Sequence, residues 1–127
     1  MTAQFEEKRQ HERVKGDIAV AVNDTEANII TEAKDISCSG VCCKTNKIVP
    51  MMTQVVITLL VPHILKGEKT IKKIKCQGVV VRHERLKDDP GMYEMAIFFT
   101  KLSKQDKNIL VDYVDYMKAK DNVAKEN

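Results

Sequence analysis

The chain has no tryptophan, and only three phenylalanines and three tyrosines among its 127 residues. Proteins that hold single-stranded nucleic acid interleave aromatic faces with basic residues, because each base stacks on a ring. That supply is missing here. Charge of one sign is scarce too: 21 basic against 18 acidic residues leave a net charge of +3. A general DNA-binding module carries a much stronger basic excess. A small anionic ligand is not excluded, since it responds to local arginines and not to the global sum. No nucleic-acid polymer is therefore expected as a partner. No apolar run reaches the ~18 residues of a membrane span. The longest, such as Val55–Pro62 and Gly78–Val81, have strand length. The start of the sequence, Met-Thr-Ala-Gln-Phe-Glu-Glu-Lys-Arg, lacks the apolar centre of a signal peptide. A cytoplasmic location without membrane insertion is expected.

Catalytic sets are also missing. There is no Ser/His/Asp arrangement and no glycine-rich phosphate loop, so the chain does not read as an enzyme. The cysteines are Cys38, Cys42, Cys43 and Cys76. Cys38 and Cys42 have the look of half a metal site, but no second half follows, and His63 and His83 have no companions at metal spacing. In a cytoplasmic protein these are expected to be free thiols. Cys42 and Cys43 then read as small residues on a strand. No metal and no cofactor is expected.

What remains is an ordinary globular composition, 43% hydrophobic and 31% charged, at the length of one domain. Residues 1–13 are polar, with Phe5 the sole large apolar side chain. They read as a flexible arm. Asp17–Val22 alternates, with Ile18, Val20 and Val22 on one face. Asn28–Ile36 and Val41–Thr45 are further strand candidates around a turn of small residues, Ser37–Gly40. Thr53–Val61 is β-branched on both faces, as a barrel strand would be. Pro62–Thr70 reads as a loop. Ile71–His83 is a long strand whose interior glycine, Gly78, marks a bulge or bend. After the Lys87–Gly91 turn, Tyr93–Thr100 alternates again, with Met95, Ile97 and Phe99 in phase. Ser103 caps a helix from about Lys104 to about Lys118, whose stripe is Ile109, Leu110, Tyr113, Val114 and Met117. Six short strands and a helix predict a mostly β fold: a six-stranded antiparallel β-barrel with one C-terminal α-helix. The expected organisation is a single domain over 1–127, with an arm (1–13), a barrel (14–102), a helix (103–118) and a polar tail (119–127).

Two local patterns offer chemistry. Arg9-x-x-x-Arg13 closes the arm, and Asp35-x-Ser37-x-x-Gly40 follows the second strand. An arginine fork grips a phosphate, or the O6/N7 edge of guanine, with two bonds. A carboxylate such as Asp35 accepts from the N1–H and N2–H donors of guanine. Ser37 is a short donor and acceptor. Gly40 permits a positive-φ turn and leaves space for a base or phosphate. Alone, Arg-x-x-x-Arg is usually a solvated face, and Asp-x-Ser-x-x-Gly an ordinary turn. Their order and their place before a barrel-and-helix pattern are what set them apart.

On these residues the chain resembles the PilZ family. The run Asp-Ile-Ser-Cys-Ser-Gly-Val is similar to that family's usual text, and the resemblance extends from about Glu7 to about Met117. It implies a split-barrel fold and a regulatory module for the bacterial second messenger cyclic di-GMP. Arg9, Arg13, Asp35, Ser37 and Gly40 would be the ligand-binding residues. Binding would order the arm and alter contact with a protein effector in motility, pilus or exopolysaccharide machinery. The alternative within the family is a protein-interaction adaptor that binds no nucleotide. Arg82, Arg85 and His11 are candidate extra contacts, but Arg82 and Arg85 read first as plain surface arginines and His11 as solvent-facing. Lys66, Lys69, Lys72, Lys73 and Lys75 read as a solvated edge or a polyanion surface.

Overall fold

Alternating burial along the first strands sets the architecture. Ile18, Val20 and Val22 point inward, and the residues between them do not. The computed structural model describes Val14, residues 18–24 and residues 28–126, with side chains of the terminal helix as far as Lys120. Six strands follow one another: β1 (Ala19–Asn23), β2 (Asn28–Ile36), β3 (Gly40–Thr45), β4 (Gln54–Leu65), β5 (Glu68–Arg85) and β6 (Tyr93–Lys101). They close into a barrel in the order β1-β2-β3-β6-β5-β4, antiparallel at every pairing. Closure pairs most strand edges, but the β4–β5 hairpin runs past it: β5 pairs with β6 only from Gln77, and β4 with β1 only as far as Leu60. The interior is filled by branched aliphatics, among them Ile57, Leu59, Val61, Ile74, Val80 and Ile97, all nearly inaccessible.

The segment Pro62–Thr70 is not the loop its proline and glycine suggest. β4 runs through Pro62 to Leu65, and β5 starts at Glu68. Only Lys66 and Gly67 turn the chain, with φ of 53° and 82°. Two positive-φ residues make the tight hairpin whose twist suits antiparallel strands. Pro62 is tolerated because β4 has left β1 by then, the last pair being Ala19 with Leu60.

Gly78 behaves as expected of a glycine inside a barrel strand. The register of β5 with β6 shifts between Gln77 and Gly78. A Cβ there would meet Ile57 Cδ1 at 2.6 Å and Ile97 Cγ2 at 2.8 Å.

The helix α1 (Lys104–Glu126) begins where Ser103 predicts: Ser103 Oγ accepts from the Asp106 amide at 3.1 Å. It continues past Lys118 to Glu126, so the tail expected over 119–127 is largely helical. Leu110, Tyr113 and Val114 are buried in the common core, with Ile109 and Met117 packed against it. The apolar stripe therefore belongs to the barrel and not to a docking face. Among the described residues no helix is long and apolar enough to cross a membrane.

Candidate functional site

Simple alternation would place Ala33 and Asp35 on one face of β2. The register against β3 shifts between them: Ala33 pairs with Cys43, and Asp35 pairs with Cys42. Such a bulge admits one extra residue and re-aims its neighbours. Ala33 and Ile36 both point into the core as a result. Lys34 and Asp35 lie between them on the outer surface, exposed and half-exposed respectively.

Ile36 is also where the start of the described chain is held. Val14 and Ile36 exchange both backbone bonds: Val14 N donates to Ile36 O, and Ile36 N to Val14 O, each at 3.0 Å. Val14 is buried in the core cluster. The expected arm, and with it Arg9 and Arg13, lies outside the described residues. Val14 follows Arg13 in sequence.

Ser37 is 1% exposed and organises the turn. Its amide donates to Gly40 O at 2.9 Å, and its Oγ accepts from the Ser39 amide at 3.2 Å and contacts Ser39 Oγ at 3.0 Å. Phe99 N donates to Ser39 O at 2.9 Å, which ties the turn to β6. Gly40 needs correcting. Positive-φ glycines among the described residues are Gly67 and Gly91, and Gly40 is not one of them. Glycine suits position 40 because a Cβ would collide with the Ile97 carbonyl oxygen of β6. Ser37 and Gly40 thus set the shape of the turn, and Asp35 lies just before it, on the outer face at the end of β2.

A second bulge shapes the far side of the same surface. Val80 pairs with Ile97, but Arg82, not Val81, pairs with Ala96. Arg82 therefore leaves the inward phase of Ile74, Cys76 and Val80 and lies on the outside. It is not a plain surface arginine. Its Nη2 donates to Glu94 Oε1 at 2.6 Å and lies 3.7 Å from Cys42 Sγ, and its Nε is buried. Lys34 Nζ donates to the other Glu94 oxygen at 2.6 Å. The Lys34 bond, joined by the nearby Arg82 charge, holds the Glu94 carboxyl below its usual range despite burial. Sequence reasoning missed Glu94. Its main partner is 60 positions away, and no local pattern announces the pair.

The cysteines are all unpaired thiols. Burial, reinforced by Asp35 and Glu94, pushes Cys42 up to about 11. Burial likewise pushes Cys43 to about 12 and Cys76 to about 11, and raises half-exposed Cys38. None is poised to act as a thiolate at neutral pH. A thiol-specific reagent at pH 7.5 is expected to label Cys38 first. The other three should react only as the protein unfolds, and fast labelling of all four in the folded state would contradict this.

A hollow of ≈ 730 Å³ lies elsewhere, lined by Asn23, Met52, Gln54, Gln77 and Thr100 among others. Among the described residues, none of its lining side chains is a lysine or arginine that could meet a phosphate. The lysines at 66, 69, 72, 73 and 75 are all exposed on the β4–β5 hairpin. His63 faces Asp112 of α1 at 3.7 Å, and His83 packs on Tyr93 with ring centres 4.7 Å apart. No group of three or more His, Cys, Asp or Glu among the described residues is placed to hold a metal.

The family model for the PilZ domain matches residues 7–116. The chain belongs to the PilZ family. Two solved structures share the PilZ fold seen here. One is the Bacillus subtilis inhibitor of motility, MotI/DgrA, at 18% identity and a TM-score of 0.75, covering 88% of this chain and 52% of that one. The chain thus spans about half the length of MotI/DgrA. The other is the PilZ domain of YcgR from Escherichia coli, solved with c-di-GMP. Identity there is 10% and the TM-score 0.64, covering 94% of this chain and 98% of that one. No curated protein matches the chain by sequence. In this PilZ domain, Val14 and the end of β2 beside Asp35 are joined by a pair of backbone bonds.

Proposed function

We propose that this PilZ domain is a regulatory module that binds cyclic di-GMP through Arg9 and Arg13 from one side and the Asp35–Gly40 turn from the other. The observation that carries the reading is the double hydrogen bond between Val14 and Ile36. A Cα–Cα step is about 3.8 Å, so Arg13 is one step in sequence from Val14, which is bonded to Ile36 at the end of β2, next to Asp35. An arginine fork with that origin reaches a ligand resting on Asp35. The carboxylate would take the N1–H and N2–H edge of a guanine, and the two forks the phosphates or the O6/N7 edge. The c-di-GMP in the related YcgR domain adds support. In this reading the domain has no catalytic role. It signals by ordering residues 1–13 over the ligand, which changes a contact with a protein effector. The similarity to an inhibitor of motility makes motility the process to examine first.

Isothermal titration of the purified protein with cyclic di-GMP tests the reading. Saturable binding is expected, weakened at least about ten-fold by Asp35→Ala, since a charge-assisted bond contributes ~1.5–3 kcal/mol. A folded wild type that takes up no ligand would leave only the adaptor role.

A further inference from the structure

The two bulges bring four residues into one transverse row on the outside of the barrel. Asp35 pairs with Cys42, Cys42 with Ala96, and Ala96 with Arg82. At ~4.8 Å per strand, Asp35 and Arg82 stand about 14 Å apart along the sheet. The two residues between them are small. Cys42 and Ala96 are buried, yet neither is part of the interior cluster. They form a low floor, with an acid at one end and a cation at the other.

Arg82 is fixed in a particular way. One corner of its guanidinium is tied to Glu94 and rests near Cys42 Sγ. Glu94 is itself braced by Lys34. Nε is buried, whereas the side chain as a whole is 42% exposed. A long arginine normally loses side-chain entropy when it meets a ligand. Here that loss has already been taken in folding, and an open part of a planar cation is presented at the far end of the row from Asp35.

We propose that Arg82 is a further ligand contact, a planar platform on which one base of the bound dinucleotide stacks, and that Glu94 positions it. This rests on the function proposed above: Asp35 engages one guanine, and Arg82 lies beneath the other end of the same molecule. Guanidinium groups stack on bases, whereas the ammonium of lysine is a point charge that offers no plane.

The test is a titration series with cyclic di-GMP on the full chain, with circular dichroism to check each fold. Arg82→Ala is expected to weaken binding about ten-fold, in line with the loss of one stacked base. Arg82→Lys should bind little better than Arg82→Ala, and Arg82→Tyr should recover most of the affinity. Glu94→Gln should weaken binding several-fold in the wild-type background and not at all in the Arg82→Ala background, the signature of a residue acting through Arg82. Wild-type affinity in Arg82→Ala overturns the platform while leaving the proposed function standing. Full rescue by lysine with none by tyrosine overturns stacking in favour of a simple charge. Failure of the folded wild type to bind overturns both readings together.

Discussion

Replacing Gly40 with alanine is expected to lower the midpoint of thermal unfolding by roughly 12 °C, whether or not any ligand is present. The added Cβ would press on the carbonyl oxygen of Ile97, a backbone atom in the neighbouring strand. Side-chain tips can swing aside, but a ladder carbonyl cannot move without parting β3 from β6. Gly40 pairs with Phe98 there, and its own carbonyl accepts from Ser37. Overpacking of this kind costs about 3 kcal/mol, which in a domain of this size corresponds to the stated shift. Thermal melting followed by circular dichroism measures it. A midpoint within 2 °C of the wild type would show that β3 and β6 separate cheaply. Glycine at the sixth position of the Asp35 motif would then need a different explanation.

Arginine 13 carries the largest expected effect on binding. Arg13→Ala should weaken cyclic di-GMP by at least about a hundred-fold, with the far-ultraviolet spectrum unchanged. Two charge-assisted bonds at ~1.5–3 kcal/mol each account for that magnitude. The described core draws on all six strands and the helix, and circular dichroism checks that the fold is kept. Titration calorimetry reads the affinity. Undiminished binding would remove Arg13 from the site, whatever the fate of Asp35.

Much of the fold was legible because its signals are local. Ile18, Val20 and Val22 alternate, Met95, Ile97 and Phe99 alternate, and Ser103 with Asp106 announces a helix start. The misreadings came where a neighbouring strand decides. Pro62 and Gly67 look like a loop until β4 is seen to continue as one arm of a hairpin. Gly40 looks like a turn glycine until the Ile97 carbonyl is found against it. Both bulges were hidden for the same reason. Alternation puts Arg82 in phase with Val80, pointing inward, and only the pairing with Ala96 turns it out. The Asp35 turn was visible as text. The cluster of Lys34, Glu94, Arg82 and Cys42 around it was not, because those residues come from four different strands.

The most direct measurement is a two-dimensional amide spectrum of the labelled protein, recorded as cyclic di-GMP is added. Amides of Val14, of Asp35 to Gly40 and of Cys42 should shift first and furthest, while those of the Lys66–Gly67 turn stay in place. Shifts confined to the hollow at Asn23, Met52 and Gln77, or none at saturating nucleotide, would contradict a ligand held between the strand entry and the acidic turn.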